Sequence, residues 1–112
     1  MKITAIRAYA LNVTAQLDIT DDIKTAGHQV CVVEIDTDEG ITGHGLTAIG
    51  PAVPIKAAVL SVAAPELMGV DPLLHEQIWH KLYWLLVPRG QSGVGMHAIA
   101  ALDIALWDIK GK

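Results

Sequence analysis

Charge is scarce in this sequence, and so are the residues that announce whole classes of protein. A single cysteine, Cys31, excludes an internal disulfide. Two arginines, no basic run and a net charge of −4 leave out the electrostatic footprint of a nucleic-acid binder. No stretch approaches the ~18 uncharged apolar residues of a membrane span. The opening MKITAIRAYA has too little continuous apolar sequence for a signal peptide. The expected location is the cytoplasm, with neither nucleic acid nor membrane as partner.

What is present is apolar. Hydrophobic residues make up 52% of the 112 and charged ones 18%, a richer and less charged mixture than an average soluble domain. A chain of this length buries only about two-thirds of the surface its unfolded form exposes. Apolar surface is therefore left over, and a partner surface or a homo-oligomer is expected to cover it.

Ile3 to Val13 is rich in β-branched and small residues without a helix-start signal, which predicts a strand. Ile3, Ala5, Tyr9, Leu11 and Val13 share one face with Arg7, and Ile6, Ala8 and Ala10 share the other, so partial burial on both sides is expected. From Thr14 to Gly27 periodicity disappears among Asp18, Asp21, Asp22 and Lys24, which predicts a long loop. Connections of that length are functional lids or disordered segments. His28 to Asp38 resumes strand character, Thr37-Asp38-Glu39-Gly40 supplies a turn, and Ile41 to Leu46 completes an antiparallel meander.

Beyond Pro51 the apolar spacing becomes helical. Val53, Ile55, Ala58, Val59, Val62 and Ala63 predict one helix ended by Pro65. Asp71 and Pro72 predict the start of a second, carried by Leu74, Ile78, Leu82, Leu85 and Leu86 as far as Pro88. Arg89 to Gly95 is a glycine-rich break before a final helix over Gly93 to Lys112. Apolar residues go most of the way round that helix, so it is expected to be buried on several sides. It also runs to the last residue with nothing after it to pack against, as expected of a piece of something larger. Strands followed by helices place the chain in the α+β class, a three-stranded antiparallel β-meander followed by a helical bundle.

Motifs that would carry chemistry within the chain fail on spacing. His75 and His80 lie five apart on a helix and point about 140° away from one another, whereas a zinc-protease helix needs histidines at i and i+4. Gly43-His44-Gly45-Leu46-Thr47-Ala48 matches the letters of a dinucleotide fingerprint but sits inside a meander strand; its glycines are expected to admit another backbone closely. Gly90-Gln91-Ser92-Gly93 lacks the second glycine and the leading strand of a nucleophile elbow. Asp103 and Asp108 project to different sides, and each is expected to meet a backbone group, an indole or a cation; Asp108 and Lys112 are an i,i+4 pair. Lys24 and His28 are placed to meet an anionic ligand, or else belong to a solvated loop.

The segment HAIAALDIALWDIKGK (His97 to Lys112) resembles the stretch that joins the N-terminal capping domain to the barrel in the mandelate racemase/muconate lactonizing enzyme group of the enolase superfamily. KITAIRAYAL, VVEIDTDEGITGHG and GVDPLLHEQIWHKLY are similar to the same domain in the same order. The resemblance implies a capping domain over residues 1–92, with its sheet in 1–48 and helices in 52–87, and a linking helix over 93–112 toward an absent (β/α)-barrel. It implies proton abstraction α to the carboxylate of a small carboxylate or acid-sugar substrate, as in dehydratases and racemases, with Mg2+ as cofactor. The metal ligands and catalytic residues would all lie beyond Lys112, none in this chain. The loops at Gln16–His28 and Gly45–Pro51 would close over substrate, with Lys24, His28, His44 and Thr47 as lid residues. His44-Gly45-Leu46 departs from the Trp-Gly-Glu of many relatives. The alternative is a complete stand-alone binding or oligomerisation module without catalysis.

Overall fold

Three strands pair in the order β1-β2-β3, every neighbour antiparallel: β1 is Ile3–Asp18, β2 Ile23–Thr37 and β3 Thr42–Ala48. This computed structural model describes the backbone of residues 1–18, 23–48, 50–90 and 93–112, and their side chains except those of 15–18, 23–26, 89 and 90. Ile6, Ala8 and Ala10 stand opposite Ile35, Val33 and Cys31, and these in turn oppose Gly43, Gly45 and Thr47. That inner face carries the buried Ala8, Cys31, Val33 and Ile35, and burial raises the pKa of the Cys31 thiol. A register shift between Ile3 and Ala5 turns Ile3 into the core as well.

The strands run further than their side-chain pattern indicates. Thr14 to Gly27, expected as a loop, is largely ladder: Thr14 pairs with Gly27, and pairing continues to Asp18 with Ile23. Backbone hydrogen bonds do not require alternation, and β3 covers β2 only as far back as Val30. Beyond that point β1 and β2 form a two-stranded ribbon reaching roughly 20 Å past the sheet at 3.3 Å per residue. A ladder is made by backbone groups, so it persists where the sequence has no alternation.

The helices cover the inner face. The first begins as α1, Ala52–Ala57, passes through a π-helical turn at Ala58–Ala63 and continues as α2, Ala64–Leu67. Pro65 does not end it: the Ala64 N–H reaches back to the Val59 carbonyl, and the widened turn accommodates the proline ring. Ile3 N donates to Val70 O and Gly69 N to Ile3 O, both at 2.9 Å, which ties the chain after α2 to the start of β1. The second helix starts later than expected. Asp71 accepts from Leu73 N at 2.9 Å in a separate turn, and α3 spans His75–Gly90 with Pro88 inside its last turn. The break at Arg89–Gly95 shrinks accordingly, since α4 begins at Val94 and ends at Gly111.

α4 is buried along Ala98, Ile99, Ala101, Leu102, Ala105, Leu106 and Ile109 against β3, α1 and α3. One stripe stays open, with Ile104 48% and Trp107 49% exposed beside the exposed Ala100. The approach to β3 is limited by backbone. A Cβ at Gly45 would overlap the Ala101 carbonyl oxygen and stand 2.8 Å from Ala105 N, and one at Gly43 would overlap Ala105 O. The two glycines of the rejected fingerprint therefore admit a helix, as their placement in a strand indicated.

Gly45→Ala is expected to destabilise the chain by about 3 kcal/mol, since the clash is with backbone that cannot rotate away. Gly40 at the β2–β3 turn has φ 76° and open space around it, so Gly40→Ala costs only about 1 kcal/mol of left-handed strain. Urea midpoints measure both. A Gly45→Ala loss no larger than that of Gly40→Ala would contradict the close approach.

Candidate functional site

Strand direction puts two features at one end of the sheet. β3 ends at Ala48 opposite Val30, and the β1–β2 ribbon continues outward from the same place. The β2–β3 turn lies at the opposite end, closed by Thr37 N donating to Ile41 O at 3.0 Å. The ribbon and the β3–α1 connection thus share one rim, and the residues singled out in the sequence fall on or near it.

They do not converge. His28 pairs with Val13 and belongs to the outer face, half-buried, on the first part of the ribbon. Lys24 pairs with Leu17 further out, and its side chain lies outside the described residues. Thr47 is on the inner face, 8% exposed, with its Oγ1 2.6 Å from His97 Nδ1. His44 is on the outer face several residues back from the rim.

His44 belongs to an ion network across the outer face. Arg7 Nε donates to Glu34 Oε2 at 2.9 Å, its Nη2 donates to Asp36 Oδ1 at 2.9 Å and its Nη1 to Asp36 Oδ2. Tyr9 and Thr42 donate to the same two carboxylates. His44 Nε2 lies 3.5 Å from Glu34. The Arg7 guanidinium is the main reason the Glu34 and Asp36 carboxyls titrate below the usual range, and its own pKa is raised in return.

At the free edge of β3, Asp108 Oδ2 accepts from His44 N at 2.8 Å, and Lys112 Nζ donates to Thr42 O at 2.7 Å and to Asp108 at 2.8 Å. Side chains of α4 thereby occupy backbone groups that would otherwise template another strand. Lys112 first and the His44 amide second hold the Asp108 carboxyl low. The expected i,i+4 pair is present, and its carboxylate does a second task that spacing alone does not reveal.

Asp103 contrasts with it. The half-buried carboxyl lines a recess of about 260 Å3 with His75, Glu76, Trp79 and Trp107. Burial raises its pKa and outweighs the opposing influence of His75. The His75 ring rests 4.2 Å from Trp107, whereas His80 accepts from Trp84 Nε1 at 3.2 Å. The two histidines are engaged separately.

The residue missed by motif reasoning is His97, on the first turn of α4. The available signal was Thr47, a hydroxyl on the buried face of a strand, which requires a polar partner across the layer. Gln29 was missed likewise; its side-chain oxygen accepts from Ala52 N at 3.0 Å and satisfies a donor that the start of α1 leaves free.

A three-stranded meander with helices on one face, an ion-paired outer face and a projecting ribbon defines a small α+β domain. The family model for the mandelate racemase/muconate lactonizing enzyme N-terminal domain matches residues 5–112, and the chain belongs to that family. It is 41% identical over 115 residues to a D-galactarolactone cycloisomerase from Agrobacterium fabrum, a match covering all of this chain and 29% of that protein. It is 44% identical over 81 residues to a D-galactonate dehydratase from Xanthomonas euvesicatoria, across 71% of this chain and 21% of that enzyme. Among solved structures, a racemase from Streptomyces coelicolor with bound magnesium superposes with a TM-score of 0.86 at 29% identity, over 97% of this chain and 32% of its own. The chain therefore spans about a third or less of each of these relatives.

The two kinds of carboxyl have opposite pH signatures. Glu34, Asp36 and Asp108 titrate lower folded than unfolded, so their contribution is complete above about pH 4 and is lost as pH falls through their folded values. Arg7→Met is expected to flatten that acid limb, and 1 M salt to flatten it similarly. Asp103 has the reverse sign: its ionised form opposes folding at neutral pH, and the penalty vanishes below about pH 4. Asp103→Asn should raise the Tm at pH 7 and leave it unchanged at pH 3. A lower Tm at pH 7 would show that the carboxylate has a stabilising partner.

Proposed function

We propose that this chain is the substrate-enclosing, specificity-setting cap of a Mg2+-dependent enzyme that removes the proton α to a carboxylate, acting on an acid sugar as a dehydratase, cycloisomerase or racemase. The observation that carries the proposal is a match running the length of the chain to enzymes roughly three times longer. In this proposal residues 1–92 form the capping domain and 93–112 the linking helix, leading into a barrel that bears the chemistry.

The geometry supports a cap in two ways. The ribbon and the β3–α1 connection occupy one rim, where a cap would meet substrate. The open stripe of Ala100, Ile104 and Trp107 on α4 supplies apolar surface of the kind a packed barrel or a second subunit covers. The Mg2+ ligands are proposed to lie in the barrel, and no step is routed through this chain.

The cap's own task is to exclude water and to shape the space around the substrate, which strengthens electrostatic interactions inside without supplying a reacting group. Lys24 and His28 on the ribbon are proposed to face the carboxylate or hydroxyls of the sugar acid. His44 and Thr47, engaged with neighbours, are proposed to hold the rim in shape.

The 112-residue chain alone should turn over no acid sugar with or without Mg2+, whereas the longer gene product carrying it should turn over an acid sugar and lose activity in EDTA. In that product Lys24→Ala should raise KM or change substrate preference while leaving Tm within about 1 °C. Metal-dependent turnover by the chain alone would contradict the proposal, and an unchanged kinetic profile would remove Lys24 from the rim.

A further inference from the structure

Between α3 and α4 lies the recess of about 260 Å3, walled by His75, Glu76 and Trp79 from one helix and by Asp103 and Trp107 from the other. The same spacing builds both walls. His75 and Trp79 are four apart, as are Asp103 and Trp107, so each helix stacks a polar side chain and an indole on the surface that faces the recess. Both indoles are partly open, and the Asp103 carboxyl beside them is half-buried. His75 is turned to other work: its Nδ1 lies 3.1 Å from the Leu73 carbonyl and its ring rests against Trp107.

This lining selects one kind of occupant. Two carboxylates repel an anion, and an apolar side chain would strip water from Asp103 without giving it a partner. A cation is met twice, by the carboxylates and by the indole faces. Trp107 already shows the second contact, since Lys110 Nζ stands 4.6 Å from its ring centre. Burial outweighs the influence of His75 on Asp103, so ionising this carboxyl opposes folding until a cation is placed beside it. Of the two side-chain cations, a guanidinium fits better, because its flat face stacks on an indole while its fork gives a carboxylate two N–H groups; an ammonium has no such face.

Trp107 belongs both to the recess and to the open stripe of α4 that holds Ala100 and Ile104, so a protein surface laid on the stripe also reaches the recess. A small free cation would account for the recess alone. We propose that the recess receives an arginine side chain from the domain that follows α4 in the longer gene product, its guanidinium paired with Asp103 and stacked on Trp79 or Trp107. This rests on the reading of the chain as the cap of a longer enzyme. The stripe and the arginine then have different tasks: apolar contact is non-directional and tolerates sliding, whereas a forked ion pair in a shaped recess fixes a single register of cap on neighbour.

The test is made on the longer gene product. Asp103→Asn keeps the shape and removes the charge, and it is expected to lower the Tm at pH 7 by about 3 °C, the reverse of its effect on the 112-residue chain alone. Glu76→Gln, at an exposed position, should lower it by about 1 °C and decides the matter if Asp103→Asn does not fold. A crystal structure of the same product is expected to show a guanidinium within about 4 Å of an Asp103 carboxylate oxygen and over one of the two indoles. Replacing that arginine with glutamine should reproduce the Tm loss, and the double variant should lose little more than either single one. A Tm unchanged or raised by these substitutions, or a recess holding a lysine, a second copy of the chain or only solvent, would overturn the proposal. Turnover separates it from the capping role: a raised Tm in a product with Mg2+-dependent activity on an acid sugar removes the arginine and leaves the cap, while a product without that activity removes the cap and leaves the arginine to be judged by the sign of the Tm shift.

Discussion

The contact between β3 and α4 is the constraint on which the rest of the structure depends. A helix packed on a sheet ordinarily keeps its distance through the side chains of both, but here Gly43 and Gly45 bring strand backbone against the carbonyls of Ala101 and Ala105. That proximity lets a short side chain, Asp108, reach the His44 amide and lets Lys112 reach the Thr42 carbonyl. It also sets the start of α4 beside the end of β3, where Thr47 and His97 meet. Lifting the helix to the usual separation would undo the edge capping and the Thr47–His97 contact together.

Two kinds of stabilisation divide the sheet. Its inner face is apolar and close-packed, and its outer face is held by Arg7 and carboxylates that remain partly in water. Such pairs are individually weak and sensitive to salt. Past Val30, β3 no longer flanks β2, and the ladder continues between β1 and β2.

The sequence showed the fold wherever burial imposes a period. The glycine turn at Gly40 and the burial of α4 on several sides were legible because one φ must be positive and apolar residues recur around much of the helix. Legibility failed where backbone hydrogen bonds alone decide. Residues 14–18 and 23–27 gave no alternation yet form a ladder, and Pro65 and Pro88, ordinarily helix stops, are accommodated beside a π-helical turn and in a final turn. Lys24 and His28 are marked in the sequence as cation-capable residues of a polar stretch, and the side chain of Lys24 lies outside the described residues. The contacts of His97 and Gln29 are with partners far away in sequence, and no local pattern marks them.

The open stripe on α4 and the rim at the end of the sheet lie on different parts of the domain, and the proposed cap requires both to be occupied in the longer protein. A structure of that gene product with Mg2+ and a bound acid sugar tests this most directly. The expected result has Ala100, Ile104 and Trp107 buried by the following domain, while the ribbon and the β3–α1 connection line the substrate space. A structure in which the stripe faces solvent, or in which the substrate lies remote from the rim, would contradict it.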